Sequence, residues 1–124
     1  MEPIIYHVFN KSIASYKIFC TPQDFLRMQM LLKFFQSKKA VSFSIFLKNY
    51  SSSPLESLDR LANESSKDIR IIAYCLMPTH IHLALEGNSD KIISRFVNNV
   101  LNSYTRYFNI IRSRKGPLWQ SRSK

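Results

Sequence analysis

Acidic side chains are scarce, and after Asp90 there are none, while Lys91, Arg95, Arg106, Arg112, Arg114, Lys115, Arg122 and Lys124 follow. Over the whole chain 18 Lys and Arg face 8 Asp and Glu, a formal charge of +10, which favours polyanionic partners because each neutralised phosphate releases counterions. Charge alone does not separate nucleic acid from an anionic membrane surface. Long apolar runs are also missing: no stretch approaches the roughly 18 uncharged residues that would span a bilayer. The opening Met1-Glu2-Pro3 is acidic, and no apolar run follows it, unlike a secretory leader. Cysteine is rare, and Cys20 and Cys75 lie far apart without metal-ligand spacing. Set among apolar neighbours, they are expected to be buried free thiols of a reducing compartment. A soluble, cytoplasmic protein without a membrane partner is the expectation.

What is present suits one domain over residues 1–124, since 45% of the residues are hydrophobic, enough for an independent core. Residues 4–10 are β-branched and aromatic and read as a buried strand. Thr21 reads as a helix N-cap, with Pro22 at the first helical position; Phe25, Met28, Leu32 and Phe35 then keep helical spacing to about Gln36. Residues 38–66 are read as a helical insertion. Residues 69–77 form an apolar strand of the kind expected at a sheet centre, and Pro78 ends it. Residues 80–86 alternate with period two, and Gly87 closes them. Ser89 then caps a long helix whose apolar stripe runs from Ile92 to Ile111, with Gly116-Pro117 expected to end it. Leu118-Trp119-Gln120 begins a last strand. This order predicts an α+β fold, a ferredoxin-like sandwich with an antiparallel sheet and both main helices on one face.

The candidate site is His80-Ile81-His82. Residues i and i+2 of a strand project from the same face, and their Cα atoms lie about 6.5–7 Å apart. Both imidazoles can then converge on one divalent ion, with Ile81 anchored in the core. An H-x-H alone has little specificity; two half-exposed histidines on a strand satisfy the same pattern.

The surrounding string Ala73-Tyr74-Cys75-Leu76-Met77-Pro78-Thr79-His80-Ile81-His82-Leu83 closely resembles a hallmark segment of the REP-associated tyrosine transposases, relatives of the IS200-like, single-tyrosine HUH transposases. Three further segments match in order: Tyr6-His7-Val8-Phe9-Asn10, Ser103-Tyr104-Thr105-Arg106-Tyr107-Phe108-Asn109 and Gly116-Pro117-Leu118-Trp119-Gln120. The resemblance implies a DNA transposase and HUH nuclease that binds single-stranded or hairpin DNA. Cleavage and strand transfer would proceed through a 5′-phosphotyrosine. It implies Mg²⁺ or Mn²⁺ as cofactor, with His80 and His82 as ligands, and a homodimer as one assembly.

The chain departs from that pattern in three places. Thr79 stands where relatives usually carry Asn, and Ser123 where they generally carry Phe. The nucleophilic tyrosine of the family is expected beyond Lys124, on a further helix that commonly supplies the third metal ligand. Tyr107 is the internal candidate for that role; Tyr104, on the apolar stripe, is expected to pack in the core. His7, an alternating strand residue, either faces the metal or is structural, and the structural role is favoured. Arg106, Arg112, Arg114, Lys115, Arg122 and Lys124 are expected to contact DNA, with no nearby carboxylate to balance them. Trp119 either stacks on a base or packs across the last strand, and packing is favoured. The alternative function is a cleavage-inactive, domesticated or truncated DNA hairpin-binding protein; a third is a structural domain that keeps only the fold.

Overall fold

The computed structural model describes residues 3–36 and 68–120. The expected insertion at 38–66, and Arg122 and Lys124, lie outside the described residues. Strand β1 (Ile4–Lys11) leads through a single helical turn at Ile13–Ser15 to helix α1 (Pro22–Gln36); then come β2 (Ile69–Met77), β3 (His80–Gly87) and α2 (Asp90–Ile111). The three strands form an antiparallel sheet in the order β1-β3-β2. Residues 118–120 add the start of a fourth strand beside β1, through the Ser12–Trp119 bridge and the bonds Ile13 N to Leu118 O (2.7 Å) and Gln120 N to Lys11 O (2.9 Å). The α+β architecture agrees with the ferredoxin-like expectation.

The alternation of β3 decides which face is buried. Ile81, Leu83 and Leu85 are at most 3% exposed. They face Met28, Leu31 and Leu32 of α1 and Ile93, Phe96, Val100 and Tyr104 of α2 in one apolar cluster. Both helices cover this side, and among the described residues no helix covers the other, open side. At Gly87 the sheet and α2 approach so closely that an added Cβ would lie 2.8 Å from the Ile93 Cδ1 atom.

Both helix starts follow from local chemistry. The Thr21 hydroxyl accepts from the Asp24 amide and the Asp24 carboxylate accepts from the Thr21 amide, each at 3.2 Å, a reciprocal cap of the kind that satisfies two orphan donors. The Ser89 hydroxyl accepts from the Ile92 amide at 3.3 Å. Helix α2 ends earlier than Gly116-Pro117 suggested. Ser113 takes a left-handed φ of 51°, and the Arg112 and Arg114 amides bond back to Phe108 and Asn109.

Three expectations are corrected, the first being the buried strand read at residues 4–10: of β1 only Asn10 is buried, because the described helices cover only one face of the sheet. Strand β2 is an edge strand and β3 the centre, so apolar side chains of β2 such as Ile72, Tyr74 and Met77 are exposed. The two free cysteines are exposed rather than buried. Cys75 sits on the open face opposite His82, and Cys20 lies in the loop before α1, so apolar sequence neighbours did not put either in the core. No described helix is long and apolar enough to cross a membrane.

Candidate functional site

On the open face the strand register arranges side chains in rows, because directly paired residues project to the same side. Lys11, His80 and Met77 make one row, Phe9, His82 and Cys75 the next, and His7, Ala84 and Ala73 a third. Ile5, Glu86 and Arg70 make a fourth, where Arg70 and Glu86 form an exposed ion pair at 3.2 Å.

His80 and His82 therefore share one face, with ring centroids 5.1 Å apart and planes at 79°. Phe9 touches both, at 5.3 Å from His80 and 4.6 Å from His82. These contacts limit how far either imidazole can swing. The Thr79 hydroxyl lies 3.3 Å from Nδ1 of His80, so this contact engages Nδ1 rather than Nε2 of that ring. His82 is exposed and His80 half-buried, so both rings are open to solvent on one side.

This pair fits half of a divalent-ion site. Rings at that separation can each bring one nitrogen to the ordinary metal–imidazole length of about 2.0–2.1 Å. Among the described residues, however, no group of three or more His, Cys, Asp or Glu side chains is placed to hold an ion. Among the described residues, two imidazoles that could serve as ligands are thus brought together.

Phe9 and Lys11 were not singled out from the sequence. The Lys11 ammonium lies 5.9 Å from the Phe9 ring centroid, and Lys11 pairs directly with His80. Alternation along β1 signals that His7, Phe9 and Lys11 share a face, but only the long-range register shows that this is the imidazole face. His7 lies on it too, exposed, one row beyond His82.

The other expected residues gather elsewhere. Arg112 grips Asp24 through two bonds of 3.0 and 2.7 Å, and the Tyr107 hydroxyl donates to the same carboxylate at 2.7 Å. Burial pushes the Asp24 carboxyl up, but Arg112, the Cys20 and Thr21 amides and Tyr107 outweigh it and hold the pKa at about 2. Burial first, and then the bond to Asp24, raise the pKa of the Tyr107 phenol. The carboxylate that balances Arg112 is 88 residues distant, so inspection of the nearby sequence could not find it. Arg114 bonds to Asn109 and to the Pro117 carbonyl and lies over Tyr16, Arg106 bonds to Ser103, and Lys115 is exposed. Arg106 and Arg112 extend from α2, across the sheet from the imidazoles. Tyr104 is fully buried, with its hydroxyl donating to the Ile18 carbonyl. Trp119 packs: its indole N–H donates to the Leu101 carbonyl at 3.3 Å.

Among curated proteins none matches the chain. The family model described as transposase IS200 like matches residues 43–122, well over half of the chain. The matched length takes in β2, β3, α2 and residues 118–120.

Proposed function

The chain belongs to the IS200-like transposase family, and from that premise we propose that it binds single-stranded DNA at His80 and His82 and cuts and rejoins it through a 5′-phosphotyrosine. The observation that carries this reading is the imidazole pair, His82 exposed and His80 half-buried, on the open sheet face inside the matched length. His80 and His82 would hold the ion, Mg²⁺ or Mn²⁺. A divalent ion bound there withdraws charge from phosphoryl oxygens. Phe9 keeps both rings in place, and the Lys11 ammonium adds a positive charge for the phosphate beside them. A tyrosine oxygen attacks the phosphorus and becomes joined to the 5′ phosphate, while the 3′ oxygen leaves and takes up a proton as a free hydroxyl.

The nucleophile is assigned to a residue outside the described ones. The hydroxyls of Tyr6, Tyr74, Tyr104 and Tyr107 bond to Asp90, Gln29, Ile18 and Asp24, all in or beside the helical layer, and Tyr16 lies under Arg114. For the basic end of α2 we assign phosphate contact to Arg106, Arg114 and Lys115, with Arg112 chiefly holding Asp24.

The same tyrosine placements favour a second reading, DNA binding without cleavage. One experiment separates the two. The protein is incubated with hairpin-bearing single strands and Mn²⁺ and resolved under denaturing conditions. A covalent protein–DNA adduct that disappears in His80→Ala is expected. Salt-sensitive binding that never yields an adduct and is indifferent to His80→Ala would establish the binding-only function instead.

A further inference from the structure

The row next to His82 is lined differently from its neighbours. Ala84 and Ala73 are directly paired there, so two methyl groups stand between the larger side chains of the Phe9–His82–Cys75 row and the Ile5–Glu86–Arg70 row. The result is a depression of about 300 Å³, walled by His7, Phe9, His82 and Cys75 and floored by the two alanines and the strand backbone. Its size lies at the small end of ligand pockets. Three of its walls are aromatic rings, and one of these, His82, belongs to the imidazole pair.

We propose that this depression takes one unpaired nucleobase of the strand whose phosphate lies at His80 and His82. The inference rests on the DNA reading above and adds a substrate determinant to it. A base is flat and aromatic, and the ring walls offer it stacking partners that do not depend on sequence. A phosphate would be drawn to Lys11, in the row on the far side of the Phe9–His82–Cys75 wall, and a nucleotide joins such a group to a base. A base inside a duplex is already stacked and paired, and entering the depression would require its extrusion. The two alanines thereby give the sheet a preference for single strands, independent of any contact that reads sequence.

Cys75 supplies a reporter in the wall, and exposed Cys20, across the sheet at the start of α1, supplies an internal reference. Iodoacetamide labelling of both thiols is followed by mass spectrometry with the protein alone, with a twelve-nucleotide oligothymidine, and with an abasic oligomer of equal length at matched occupancy. The oligothymidine is expected to slow Cys75 labelling about tenfold relative to Cys20, and the abasic oligomer less than twofold. Ala84→Leu, which fills the depression, is expected to weaken oligothymidine binding about tenfold and to leave abasic binding unchanged, with the thermal midpoint reporting that the fold is intact. Equal affinity for the two oligomers with equal Cys75 protection overturns the base site alone. Failure of both oligomers to bind overturns the DNA reading and the base site with it.

Discussion

Two sets of polar side chains in this molecule are built on opposite logic. Asp24 is fully buried, and every contact around its carboxylate is a donor: two backbone amides, a phenol and a bidentate guanidinium. His80 and His82, on the far side of the sheet, contact each other, Phe9 and the Thr79 hydroxyl among the described residues, and no charged partner holds them there. The first set is complete within the chain and joins the start of α1 to the end of α2. The second is held in position but leaves His82 exposed and His80 half-buried. A closed set of that kind stabilises a fold, and an open set is available to a ligand.

Removing Asp24 should do the most damage. Asp24→Ala leaves Arg112 and Tyr107 without their shared partner, and a loss of about 3–5 kcal/mol in unfolding free energy is expected by denaturant titration. A loss below 1 kcal/mol would mean that the closed set is not a structural joint. Leu83→Ala, on the buried face of the imidazole strand, is expected to cost about 3 kcal/mol through the cavity it leaves. Acid should act on the same joint. A carboxyl whose folded pKa is depressed to about 2 stabilises the fold above its unfolded value near 4, and that contribution is lost as pH falls through the folded value. Thermal midpoints should therefore drop between about pH 4 and pH 2, and Asp24→Ala should flatten that part of the profile. Tyr107→Phe removes one donor of several and should cost about 1 kcal/mol, without affecting adduct formation. Smallest of all, the double change His80→Ala, His82→Ala should shift stability by no more than about 0.5 kcal/mol, as expected for side chains outside the core with no structural duty. A large loss there would place the imidazoles with Asp24, in the structural class.

Local patterns carried much of this molecule. Thr21-Pro22, Ser89 and the alternation from His80 to Glu86 contain their own start signals and period, so the helices, β3 and the face shared by the two histidines follow from short-range chemistry. What depends on pairing across the sheet did not follow. The apolar composition of β2 suggested a central strand, yet it lies at the edge of the described sheet with Ile72 49% exposed, and none of the described helices covers the open face. The thiol of Cys75 is exposed for the same reason. Phe9 and Lys11 join the site through a register with β3 that spans some seventy residues, and Arg112 finds its carboxylate across a similar gap. Periodicity identifies the face of a strand but not its neighbours.

The central claim is that two imidazoles on the uncovered face hold a divalent ion beside a DNA phosphate. Its most direct test is Mn²⁺ binding followed by paramagnetic resonance in the wild type, His80→Ala and His82→Ala, each with and without a single-stranded oligonucleotide. The account predicts binding that strengthens when the oligonucleotide is present and weakens at least about tenfold in either variant. Equal Mn²⁺ affinity in all three proteins would contradict it.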